Sequence, residues 1–178
     1  MSTNTTSDLL YTALMLRKLH ERQGFSQVLD ASTDGRYRTV LEEHLPGAGW
    51  IAAQEVWTPM LHEVRLCRHA DRLGCTDIRL AAAASTRVEL ALFEGVLEPL
   101  QPPEAQALAA AWLAHTPLVL ISLLATLPVA PALPGLVSHF ISGTVAVCCL
   151  TRDPERARQI SQLHQVISGI VQRMTERP

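Results

Sequence analysis

The sequence predicts a mainly α fold: a single-domain bundle of about six to eight helices, counted from their start and stop signals. Three observations predict it. Helix-opening pairs such as Thr58-Pro59 and Asp153-Pro154 punctuate the chain. Its 178 residues are 48% hydrophobic but only 4% aromatic, rich in Ala and Leu. The last segment carries Ile160, Leu163, Ile167, Ile170 and Met174 at alternating spacings of three and four, an a/d seam.

Residues 1–7 read as a polar, flexible tail, and residues 8–178 as one helical domain. Ser7 or Asp8 caps a first helix that runs to about Gln23 and stops at Gly24. Leu9, Ala13, Leu16 and His20 share one face of it. Phe25 to Asp30 reads as a short turn of helix, and the polar run Asp30–Gly35 as a loop. Arg36 to Leu45 reads as a helix with Tyr37, Val40 and Leu41 inward, closed by Pro46-Gly47. Trp50 to Trp57 is apolar, either helix or an irregular buried segment.

Thr58-Pro59 opens a helix that ends at Leu73, before Gly74. Cys75 to Leu100 has two readings. Thr86 and Glu89 form a capping box ahead of a helical stripe of Val88, Leu92, Phe93 and Val96. The alternation of Val88, Leu90 and Leu92, with Ile78 and Leu80, also fits a short β-hairpin near 77–97. Ala81 to Ala84 tip the balance to helix.

Pro102-Pro103-Glu104 opens a further helix with Leu108, Ala111, Trp112 and His115 on one face. Pro117 restarts it as Leu118 to Leu127. Residues 128–135 form a rigid proline-rich connector. Leu136 to Leu150 reads as a buried helix, although Thr144 to Leu150 has some strand character. Asp153-Pro154-Glu155 then starts the final helix, to about Glu176.

Charge and motifs exclude several functions. The net charge is −2, and 14 arginines with one lysine, Lys18, are interleaved with acids, so no basic stripe for non-specific nucleic-acid binding is expected. Residues 1–8 lack the charged start of a secretory signal, and four cysteines without a framework suit a reducing compartment, so a cytoplasmic location is expected. His115 and the prolines at 117, 128, 131 and 134 cut the apolar run short of the about 20 residues a membrane span needs. No glycine-rich loop precedes Lys18, and neither Gly-x-Gly-x-x-Gly nor Gly-x-Ser-x-Gly occurs.

His62, Cys67, His69 and Cys75 do not converge as paired metal motifs do, and no metal is expected. On one helix, Cys148 or Cys149 would stand about 13–15 Å from His139 by rise alone, too far for a thiolate pair. No catalytic residue is assigned, and Glu42-Glu43 reads as a solvated edge.

Two segments resemble known families. Gly74–Leu80 with Arg87–Leu97 is similar to the strand pair ahead of the ATPase core in pilus and type II secretion motors, which implies an accessory fragment of such a machine; the motor domain itself is missing. Leu136–Met174 is similar in pattern to the last helical hairpin of TetR-type regulators, with Asp153-Pro-Glu-Arg-Ala157 matching the turn. That resemblance implies a dimerising hairpin. The DNA-binding helices of those regulators are not visible in residues 8–45.

The expected function is therefore a non-catalytic, cytoplasmic regulatory or adaptor protein. It would act by homodimerisation or by binding a partner protein through Ile160, Leu163, Ile167, Ile170 and Met174. The alternative is a helical protein binding a small molecule or a tetrapyrrole such as haem, with Trp112, His115, His139, Cys148 and Cys149 lining the pocket. No cofactor is required by the first reading.

Overall fold

Six strands, β1 to β6, form one mixed sheet in a computed structural model that describes residues 6–31, 37, 41–52, 89–94, 102–126 and 132–176. In chain order the elements are α1 (Ser7–Gln23), β1 (Gln27–Ala31), β2 (Gly49–Ala52), β3 (Leu90–Glu94), α2 (Pro102–His115), β4 (Leu118–Leu124), β5 (Leu136–Ser142), β6 (Val145–Leu150) and α3 (Pro154–Thr175). The sheet order is β2-β1-β3-β4-β6-β5. The first four strands are mutually parallel. β6 runs antiparallel between β4 and β5, so β5 again points the way of the parallel set.

The mainly α bundle is thus corrected to an α/β sheet, and for the central strands the error has one cause. Strands covered on both faces read as continuous apolar runs, without the alternation that marks a half-exposed strand. Leu118–Leu124 is such a run, buried from Leu118 to Leu123, and it is a strand where a helix was expected. Leu136 to Leu150 is a hairpin, turned at Gly143 with φ +59°, and not one buried helix. Phe25 to Asp30 supplies β1, whose Asp30 lies in the strand itself. The apolar start of Trp50–Trp57 belongs to β2. In Cys75–Leu100, Leu90–Glu94 is a strand, but it pairs in parallel with β1 and β4. The other half of the expected hairpin and the Thr58–Leu73 helix lie outside the described residues.

Helices with explicit punctuation form where expected. α1 ends at Gly24, which has φ +62° and whose N–H donates to the His20 carbonyl. α3 is capped by Asp153, whose Oδ1 accepts from the Glu155 N–H at 3.1 Å, with Pro154 following. Tyr37 and Leu41 are helical and buried, as predicted.

α1 and α3 pack on each other and on one face of the sheet. That face presents Val28, Leu90, Leu92, Leu118, Leu120, Phe140, Val147 and Cys149 to Tyr11, Leu16, Ile160, Ile167 and Val171. α2 lies by β4, and its Trp112 stacks on Phe93 of β3 with ring centroids 3.9 Å apart. No described helix is long and apolar enough to cross a membrane.

Candidate functional site

From β1 the chain moves to β2 on one side, whereas from β3 it moves to β4 on the other. The strand order therefore reverses between β1 and β3. At such a switch point the two outgoing connections diverge, and a crevice opens outside the carboxyl ends of the strands. The residues at those ends are Asp30 and Ala31 of β1 and Phe93 and Glu94 of β3; Ser122, two residues before the end of β4, pairs in register with Glu94.

Polarity changes sharply at this edge. Val28, Leu90, Leu92, Leu118 and Leu120 are apolar and buried. Asp30 and Ser122 are equally buried, each 4% exposed, yet polar. A carboxylate is costly to bury and persists only with partners; Asp30 does have partners. None of the six strands carries a Lys or Arg. Asp30 and Ser122 therefore place hydrogen-bond acceptors at this edge of the sheet.

Sequence reasoning missed both residues. Asp30 was placed at the start of a loop, and Ser122 vanished in an apolar run. The available signal was Val28-Leu29-Asp30, two apolar β-type residues and an acid ahead of a small-residue segment that ends at Gly35.

A second polar cluster lies at the other edge, where α1, α3 and β5 meet. The Tyr11 hydroxyl donates to Ser138 Oγ at 3.2 Å and lies 2.7 Å from His164 Nδ1. Its ring stacks on Phe140 at 4.2 Å. Burial, with Cys149 nearby, pushes the Tyr11 phenol far above its ordinary range. Burial also raises the Cys148 thiol to about 12 and the Cys149 thiol to about 11. Both sulfurs are therefore neutral thiols at neutral pH, poor nucleophiles and poor metal ligands.

The sheet divides the expected ligand pocket. Successive residues of a strand face opposite sides, so Cys149 joins the α1–α3 side while Cys148 lies on the other. His139 is the cross-strand partner of Cys148. The hairpin thus brings together two residues that a single helix would have held apart. His139 Nε2 is buried without a hydrogen-bond partner. Trp112 is buried against Phe93, its indole N–H also unpartnered. His115 is the last residue of α2.

Of the expected interface residues, Ile160 and Ile167 are buried in the chain's own core, and Leu163 packs partly on it. Ile170 is half-buried, and Met174 is 58% exposed. Among the described residues, no group of three or more His, Cys, Asp or Glu could hold a metal ion. His62, Cys67, His69 and Cys75 lie outside those residues.

The regulatory helical adaptor is corrected by the same sheet. Its premises were a bundle and a free a/d seam, and Ile160 and Ile167 of that seam instead cover strands. The helical tetrapyrrole pocket loses its framework in the same way, since three of its five residues are on strands. The TetR-like hairpin is β structure in its first half. The secretion-motor strand pair is replaced by the parallel pairing of β3.

No family model matches the sequence, and no curated protein matches it. Among solved structures, the chain is similar to an rRNA methylase from Escherichia coli, with 16% identity and a TM-score of 0.44. The match covers 78% of this chain and 62% of the methylase, so this chain matches less than two-thirds of that enzyme's length.

Proposed function

We propose that the chain binds a nucleoside-type cofactor at the carboxyl ends of β1 and β3, and that this cofactor is a methyl donor of the S-adenosylmethionine kind. One observation carries the reading: the sheet order β2-β1-β3-β4-β6-β5, parallel until the reversed β6 inserts before the edge. That layout is similar to the sheet of Rossmann-like methyltransferases, and its switch point is the place where α/β sheets take ligands.

The donor set fits such a cofactor better than a dinucleotide. Dinucleotide sites need several glycines after the first strand, so that backbone amides can approach the pyrophosphate. Here the sequence from Asp30 to Gly35 holds one glycine and a second acid, Asp34. A buried Asp30 and a strand set without cations repel phosphate and favour a ligand bearing hydroxyls and positive charge. S-adenosylmethionine has no phosphate, two ribose hydroxyls, an ammonium and a sulfonium; when bound, it supplies an electrophilic methyl group. Asp30 would accept from its polar hydrogens, and Ser122 would add a hydroxyl at the same strand ends.

Titration calorimetry with S-adenosylmethionine, S-adenosylhomocysteine and NAD tests this. The first two should bind saturably and NAD should not. Asp30→Ala should weaken binding by about tenfold or more, ~1.4 kcal/mol, with an unchanged far-UV circular dichroism spectrum. Absence of binding by both adenosyl compounds, or equal affinity in the variant, refutes the assignment.

A further inference from the structure

We draw no further inference here: the strongest candidate, the partly exposed apolar flank of α3 that runs from Leu163 through Val166 to Ile170, is an unpartnered helix face, and nothing in the structure shows what covers it.

Discussion

Glu89 shows how one side chain can hold two distant segments in register. Its Oε2 accepts from the Ser26 N–H at 2.5 Å, the Ser26 hydroxyl at 2.9 Å and the Gln27 N–H at 3.4 Å. The carboxylate therefore pins the start of β1 to the residue before β3, across 63 positions of sequence. These bonds, with Arg156 nearby, hold its pKa below the ordinary carboxylate value. Glu89→Ala should cost about 1–2 kcal/mol, because the backbone N–H groups lose a charged acceptor near the surface. Urea unfolding at neutral pH should show the loss, with Glu89→Gln less affected. Since the folded-state pKa is lowered, the contribution is present above the unfolded carboxylate value and fades as pH falls below it. A variant equal to wild type at neutral pH would show that the pin contributes nothing. In the sequence, Glu89 read as the closing acid of a capping box opened by Thr86. The residue type was right for accepting backbone N–H groups, but its partners belong to another strand.

At the scale of elements, the final helix carries the most informative contrast. Its seam was legible in the sequence, and the helix is present with its Asp153 cap. The identity of its partner was not legible, because an apolar stripe packs equally well on a copy or on a sheet. Ile160 and Ile167 are 0% and 3% exposed beneath α3, whereas Met174 is 58% exposed at its end. Ile167→Ala should cost about 2–4 kcal/mol of stability, and Met174→Ala less than about 0.5. Chemical denaturation at two protein concentrations checks this; equal losses would contradict the packing. α2 illustrates the same lesson. Pro102 and Pro103 announce it, yet only the stack of Trp112 on Phe93 shows which surface it covers. β4 shows the reverse case. Its run of Leu, Val and Ile is the right length for a strand, but periodicity cannot separate a doubly buried strand from a short buried helix.

For the whole molecule, the decisive feature is non-local pairing. β1 and β3 are joined along their length although 58 residues, 32 to 89, lie between them. Such contacts leave no signature in any local window. The infrared amide I band should accordingly show a clear sheet component beside the helical one. A purely helical band would contradict the fold. The candidate site depends on the same long-range order, since Asp30, Glu94 and Ser122 reach one edge of the sheet only when three strands from distant parts of the chain align.

The sequence by itself determined where helices start and stop, because caps, prolines and glycines act on the backbone within one turn. It also determined that the long apolar runs avoid water, and that no Gly-x-Gly-x-x-Gly motif is present. Only the tertiary structure decided that the apolar runs are strands, that the order reverses between β1 and β3, and that Asp30 stands at that reversal. The physical reason is that burial on both faces removes the alternation by which a strand declares itself, while hydrogen bonds between strands are made to residues that local sequence cannot specify.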